Sequence, residues 1–237
     1  MFEPFSGKYV WNLSVGSTHL ATGGLIGEVD RACRPLLDAP ADQSETEAIE
    51  AFRRSWSGLA DTLVRLTDED ERSGRRHSSA GEKHNRAAVC CPNADRMQSN
   101  AVHGRRTTYD EALETFAKFV EFTDQPAERV EISYGAGSLP GILMPAEGPG
   151  PAPYVIFFNG LDSTKERFYG TGTAQELRRR DITTPMVDPP GSEEALRLCG
   201  IPAIPDTEQW AADWITETVT ELRTAALPAA TEHPARS

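Results

Sequence analysis

The sequence has no apolar run approaching the roughly 20 residues needed to span a bilayer. Its start, Met1-Phe2-Glu3-Pro4, lacks the charged, then apolar, then small-residue succession of a secretory signal. A cytoplasmic location is the expectation. Basic residues are in deficit: 24 Lys and Arg stand against 36 Asp and Glu, a formal net charge of −12. Phosphate backbones and anionic lipid surfaces are bound by basic surfaces, so neither nucleic acid nor membrane is expected as a partner. Cysteine is sparse. Cys33, Cys90, Cys91 and Cys199 form no C-x-x-C, and the neighbours Cys90 and Cys91 have poor geometry for a disulfide. All four read as reduced thiols, mostly small apolar fillers.

What is present suffices for a sizeable core: 38% of residues are apolar, in a length that holds one large domain or two small ones. The periodicity changes near residue 127. Before it, apolar spacing is helical. One helix is predicted through Ile26, Val29, Cys33 and Leu36. Ser44-Glu-Thr-Glu47 reads as a capping box opening a second, with a stripe of Ile49, Phe52, Trp56, Leu59, Leu63 and Leu66. Ser79-Ala-Gly-Glu82 and Thr108-Tyr-Asp-Glu111 look like two further boxes. Pro92 should end or kink the helix that the former opens. The latter's helix carries Tyr109, Leu113, Phe116 and Val120 on one face. Residues 73–77 and 100–106 read as exposed loops, and Asp68-Glu-Asp-Glu71 as a solvated helix end. Three or four such helices could pack as a small helical domain.

After residue 127 come short apolar runs separated by Gly and Pro. Val130, Ile132 and Tyr134 alternate, Gly135-Ala-Gly-Ser138 turns, and Leu139 to Met144 returns, which is a hairpin. Tyr154-Val-Ile-Phe-Phe158 is a continuous apolar run suited to a strand buried on both faces. Asn159-Gly160 ends it. Ser163-Thr-Lys-Glu166 is read as another capping box, with its helix running to Arg180. Residues 182–187 form the next strand despite Pro185, which removes a ladder hydrogen bond. Strand, helix, strand in this order implies a parallel crossover. A last helix begins near Asp206 and carries Trp210, Trp214, Ile215, Val219 and Leu222; the Ala/Pro-rich tail, residues 225–237, is expected to be disordered.

Other signals have plain explanations. His77, His84, Cys90, Cys91 and His103 match no zinc spacing, so no metal or cofactor is expected. Gly135-Ala-Gly137 lies in the hairpin rather than between strand and helix, so it is a turn and not a dinucleotide fingerprint. Gly170-Thr-Gly172 lacks the Lys-Ser/Thr of a phosphate loop. Asp188 follows a strand, but a turn-forming role beside Pro189-Pro190 is the simpler expectation.

Three strings add specificity. They are Phe157-Phe-Asn-Gly-Leu-Asp-Ser-Thr-Lys-Glu166, Met186-Val-Asp-Pro-Pro-Gly191 and Glu194-Ala-Leu-Arg-Leu198. With the order hairpin, strand, turn, helix, strand, helix, they resemble the α/β-hydrolase superfamily. The likeness is to the subgroup with a helical N-terminal region, which includes carbon–carbon bond hydrolases of the dihydroxypseudooxynicotine type and hydrolases associated with polyketide pathways. Met97-Gln98 and the Tyr109 helix resemble that helical region, and the likeness extends to about Trp214. The resemblance implies an α/β fold class: a helical region over residues 1–127, then the N-terminal part of the hydrolase domain over residues 128–224. That part would be an incomplete sheet, an antiparallel hairpin plus two parallel strands with flanking helices.

The resemblance also implies chemistry. A serine on a strand-to-helix elbow attacks the carbonyl of an ester or carbon–carbon bond substrate, assisted by a histidine and a carboxylate. Backbone N–H groups hold the oxyanion. One would come from the loop Asn159-Gly160-Leu161-Asp162, with Gly160 permitting close approach and Leu161 as the donor. The G-x-S-x-G elbow should follow the helix of Trp210 and Trp214, yet none of the 237 residues is a serine so flanked, and the only histidine beyond Gly104 is His233. No catalytic triad can be assembled. The expectation is a C-terminally truncated hydrolase relative, inactive by itself and exposing an apolar edge of Val155-Ile-Phe-Phe158 that unfolds, aggregates or pairs with another chain. Two alternatives remain: a non-enzymatic module whose N-terminal helices bind a partner or form a homodimer, and a half-enzyme needing a separate C-terminal chain.

Overall fold

Five helices precede the first strand in the computed structural model, which describes residue 5 and residues 8–38, 42–73, 77–98, 104–160, 163–208, 211–212 and 215–216. They are α1 (Tyr9–Ala21), α2 (Ile26–Leu37), α3 (Glu45–Ser73), α4 (His77–Asp95) and α5 (Arg105–Thr123). No helix among the described residues is long and apolar enough to cross a membrane.

The Ser44 capping box forms as predicted. The Glu47 carboxylate accepts from the Ser44 amide at 2.9 Å, and the Glu47 amide donates to Ser44 Oγ at 3.3 Å. From there α3 buries Phe52, Trp56, Leu59 and Leu63, while Ile49 and Leu66 sit half-buried at the stripe's margins. These side chains meet Val29, Cys33 and Leu36 of α2 and Ala87, Cys90, Cys91 and Ala94 of α4 in one core. The small residues of α4 let α3 and α5 approach from either side. At Gly81 a Cβ would come within 2.6 Å of Thr123 Cγ2 on α5. Cys33, Cys90 and Cys91 are buried, Cys199 is exposed, and all four are free thiols.

The structure corrects several helix boundaries. α1 was not foreseen; among its described side chains the buried positions are Gly16, Thr18 and the wholly buried His19, which carry no apolar stripe. α4 begins at His77, before the Ser79 box, and Ser79 Oγ instead accepts from Lys83 Nζ at 2.7 Å. α5 begins at Arg105, where a loop was expected, so Thr108 lies inside it and donates to Gly104 O at 3.1 Å. Pro92 does not stop α4, which continues to Asp95. The missing amide falls in the last turn, where packing by both neighbours holds the helix. The acidic run at residues 68–71 is not wholly solvated: Asp70 is buried and takes Lys83 Nζ at 2.5 Å.

The sheet follows. β1 (Glu128–Tyr134) and β2 (Gly137–Met144) form the predicted hairpin, with Tyr134 opposite Gly137. Only Gly135 and Ala136 turn the chain, and Gly135 takes φ +58°, which suits the twist of a two-residue hairpin turn. β3 (Phe157–Phe158) and β4 (Thr184–Val187) complete a sheet of order β1-β2-β4-β3. β4 is antiparallel to β2 and parallel to β3, as the crossover requires.

The run Tyr154–Phe158 is not buried on both faces, contrary to expectation. Val155 and Phe158 are each 38% exposed, because β3 is the outermost strand among the described residues. Nor is it continuous. Thr183 donates to Pro153 O and accepts from Val155 N, and the ladder resumes only at Phe157. The alternation of a parallel ladder aims residue 185 at the same neighbour, and Pro185 has no N–H to give.

The helix expected to run to Arg180 is two short ones, α6 (Lys165–Gly170) and α7 (Thr173–Arg178), broken where Gly172 takes φ +80°. The cap of α6 is Thr164, whose hydroxyl accepts from the Arg167 amide at 3.0 Å, rather than Ser163. α8 (Glu193–Arg197) ends the named elements. Phe116 and Phe119 of α5 pack edge-on against Tyr169 of α6 at 5.3 and 5.8 Å, joining the helical layer to the sheet layer with Ile142, Met144 and Met186. Residues 215–216 are helical and Ile215 is 40% exposed. Leu161, Trp210, Trp214, Val219, Leu222 and residues 225–237 lie outside the described residues.

Candidate functional site

β3 and β4 run parallel, so their C-terminal ends open on the same side, where α/β sheets place their sites. Asn159-Gly160 leaves β3 there and Asp188 leaves β4. Gly160 is exposed, with open space where a Cβ would point, and its carbonyl accepts from the Ser163 amide at 3.2 Å. Of the two expected oxyanion residues, the structure thus describes Gly160 only.

Beneath this turn lies a charge cluster that the turn-forming reading of Asp188 did not anticipate. The Asp188 carboxylate is wholly buried. Its Oδ1 accepts from Asn159 Nδ2 at 2.7 Å and from the Lys165 amide at 3.0 Å. Its Oδ2 accepts from Lys165 Nζ at 3.0 Å, the Glu194 amide at 3.3 Å and the Tyr109 hydroxyl at 3.4 Å. One carboxylate therefore ties together the β3 turn, the first residue of α6, the first turn of α8 and helix α5. Asn159 Nδ2 donates also to the Ser163 carbonyl, closing the loop across residues 159–163.

Lys165 is the cation of the cluster. Its ammonium lies 2.6 Å from Glu166, 3.0 Å from Asp188 and 2.5 Å from Glu194. Arg129 of β1 reaches Glu194 from the surface at 2.5 Å. Burial alone would lower the Lys165 pKa, but the carboxylates of Asp188, Glu166 and Glu194 outweigh it and hold the ammonium above its ordinary value. Burial raises Glu166. Burial also opposes ionisation of Glu194, but hydrogen bonds from Arg129 and attraction to Lys165 keep it below its usual range. Burial, followed by Glu166 and Asp188, pushes the Tyr109 hydroxyl well up.

Every oxygen of Asp188 is engaged, so this carboxylate has no capacity left to move a proton for a substrate. The cluster is suited to hold Asn159, at the end of β3, and Lys165, at the start of α6, in a fixed relation. Sequence reasoning assigned Lys165 and Glu166 to a capping box and Tyr109 to an apolar face, and missed their convergence. The available signal was a lysine at the first position of a helix that follows an apolar strand, where its ammonium can turn back into the sheet's end.

Among the described residues no group of three or more His, Cys, Asp or Glu is arranged to hold a metal ion, the convergence of Glu166, Asp188 and Glu194 being filled by the Lys165 ammonium. His84 meets Glu71 at 3.3 Å, and Cys90 meets His19 Nδ1 at 3.6 Å.

No family model matches the chain. It is 32% identical over 139 residues to the 2,6-dihydropseudooxynicotine hydrolase of Paenarthrobacter nicotinovorans, covering 59% of this chain and 36% of that protein. It is 29% identical over 183 residues to the alpha/beta hydrolase xenA of Xenoacremonium sinensis, covering 69% of this chain and 39% of that one. Among solved structures, the 2,6-dihydroxy-pseudo-oxynicotine hydrolase aligns with a TM-score of 0.63 and 24% identity, over 89% of this chain and 54% of the other. AbyA5 aligns at 0.52 and 16% identity, over 76% and 50%. The chain spans little more than a third of the length of these curated relatives. By sequence relationship, and by a fold that runs helices first and then strands in the order β1-β2-β4-β3, the chain is a relative of the α/β-hydrolases.

Proposed function

We propose that this chain forms the helical wall and the oxyanion turn of an α/β-hydrolase site for a small carbonyl substrate, an ester or an activated carbon–carbon bond, and does not by itself turn that substrate over. The observation that supports this is the buried Asp188, which bonds Asn159 at the end of β3 and Lys165 at the start of α6, the two ends of the segment that this reading assigns to the oxyanion turn. In such a fold, a preorganised backbone donor after the third strand meets the charge that develops on the carbonyl oxygen. Leu161 supplies that N–H in this reading. The attacking group has no candidate: Ser163 and Ser192 precede helices, and no serine stands in a G-x-S-x-G.

The test is direct. The purified chain is incubated with a serine-directed fluorophosphonate and, separately, with 4-nitrophenyl acetate. Neither a covalent adduct nor hydrolysis above background is expected. An adduct on one specific serine would overturn the proposal.

A second reading is favoured by the exposure of Phe158 on β3 and of Val155 just before it. In it the outer edge of β3 pairs with a strand of a separate polypeptide carrying the serine elbow, the acid and the histidine. Co-expression with such a polypeptide should then yield a stable complex with esterase activity. The helical region offers another contact surface, since Tyr9, Val10 and Leu13 of α1 are largely exposed, and it is the candidate surface for a homodimer.

A further inference from the structure

A cavity of about 240 Å³ lies between the helical layer and the sheet layer, with room for one molecule of roughly ten non-hydrogen atoms. α4 supplies Val89, Pro92 and Asn93 to its wall, Gln98 follows just after that helix, and α8 supplies Leu196 and Arg197. Val89, Pro92 and Leu196 make part of the lining apolar. Arg96, Arg105 and Arg167 also line it but are engaged by neighbouring groups, so they do not set the charge of a ligand.

Asn93, in the last turn of α4, is the decisive residue. It is only 3% exposed, and neither its amide oxygen nor its amide nitrogen has a hydrogen-bond partner. A buried polar atom left unsatisfied is costly, and native proteins keep few of them. Asn93 keeps two on one side chain. Gln98 Oε1 and Arg197 Nη1 belong to the same lining and are also buried without partners.

The chemistry of those atoms defines the complement. A carboxamide presents an acceptor and a donor side by side. Both are satisfied together by a group offering the same pair reversed, an amide whose N–H and C=O lie along one edge. The two then form parallel hydrogen bonds, whichever way the Asn93 amide is turned. A carboxylate offers acceptors only and would set an oxygen against Asn93 Oδ1. Water can bond these atoms singly, but a ligand that reproduces water's bonds and adds an apolar body gains the apolar wall as well.

We propose that this cavity binds a small neutral carboxamide, paired edge to edge with Asn93 and carried on an apolar body that meets Val89, Pro92 and Leu196. Its second N–H is left for Gln98 Oε1, and the remaining lone pair of its carbonyl for Arg197 Nη1. The site needs no nucleophile and uses neither Gly160 nor Leu161, so it stands apart from the hydrolase reading. Binding can succeed where turnover fails, and the reverse.

The experiment compares benzamide, acetophenone and benzoate, which have the same number of non-hydrogen atoms. Each is titrated into the full chain by calorimetry at neutral pH. Acetophenone keeps the carbonyl but carries a methyl in place of the N–H donors, and it is expected to bind about tenfold more weakly than benzamide. Benzoate should also bind more weakly than benzamide. Asn93→Leu removes both amide atoms at similar volume and should abolish the preference for benzamide over acetophenone. Asn93→Ala, which cannot overfill the site, should do the same. No binding of benzamide up to its solubility limit, which would leave the cavity to water, would overturn the proposal. So would equal binding of benzamide and acetophenone, tighter binding of benzoate than of benzamide, or a preference for benzamide that survives in either variant.

Discussion

Lys165 Nζ and Asp188 Oδ2 stand 3.0 Å apart with both side chains wholly out of solvent. A buried pair of this kind adds little net stability against apolar side chains of the same shape, but removing one member strands the other. Lys165→Met leaves Asp188, Glu166 and Glu194 facing one another without their common cation. The expected loss is about 3–5 kcal/mol, read as a lower urea midpoint. Asp188→Asn should also destabilise, because it weakens five interactions that reach four segments of the chain.

Glu193 gives a pH dependence in the opposite sense to most carboxylates. Burial lifts its pKa to about 7, against a partial lowering by Arg197. The folded state therefore holds a proton that the unfolded state releases from pH 4.5 upward. This contribution to stability is complete below pH 4.5 and is lost as pH rises through 7, at up to about 1.4 kcal/mol per pH unit across that window. Glu193→Gln should remove that slope. Melting curves of parent and variant between pH 4 and 8 check it, and parallel curves would contradict it.

Glu28 behaves in the ordinary sense. Burial raises its pKa, but the hydrogen bonds from His19 and the Leu25 amide, together with Arg86, bring it to about 2. Its contribution is present above pH 4.5 and lost as pH falls toward 2. Glu28→Gln should be less stable than the parent at pH 7, and the difference should close on acidification. Circular dichroism at stepped pH measures both.

The edge of β3 predicts solution behaviour. Phe158 of β3, the outermost described strand, and Val155 just before it present apolar surface. Val155→Lys and Phe158→Lys place charge on that edge, a device natural edge strands use against pairing. Light scattering at matched concentration should fall for the double variant, with its melting temperature within a few degrees of the parent. Unchanged scattering would show that association, if any, uses another surface.

Much of the fold is legible where burial is strongly periodic. Phe52, Trp56, Leu59 and Leu63 repeat at helical spacing, and the Ser44–Glu47 box marks where their helix opens. The hairpin shows in the alternation before Gly135. α1 escaped because the buried positions among its described side chains are Gly16, Thr18 and His19, and a period is visible only when the buried residues are apolar. The boxes at Ser79 and Thr108 misled because both residues lie inside their helices, where local partners, Lys83 and the Gly104 carbonyl, take their hydroxyls. Gly160 and Leu161 could be assigned a role only through resemblance, since a glycine after a strand is also an ordinary turn.

Apolar period and local hydrogen-bonding motifs by themselves determined the change from helices to strands near residue 127 and the β1-β2 hairpin, while the hydrolase reading and its expected serine elbow came from resemblance. Only the tertiary structure decided that Asp188 is a buried hub rather than a turn residue and that β3 lies at the margin of the described sheet. The reason is physical. Periodicity records which side of an element is dry, over a few residues of chain. Whether a lysine and three carboxylates neutralise one another depends on distances of about 3 Å between residues far apart in sequence, and those distances exist only once the layers have packed.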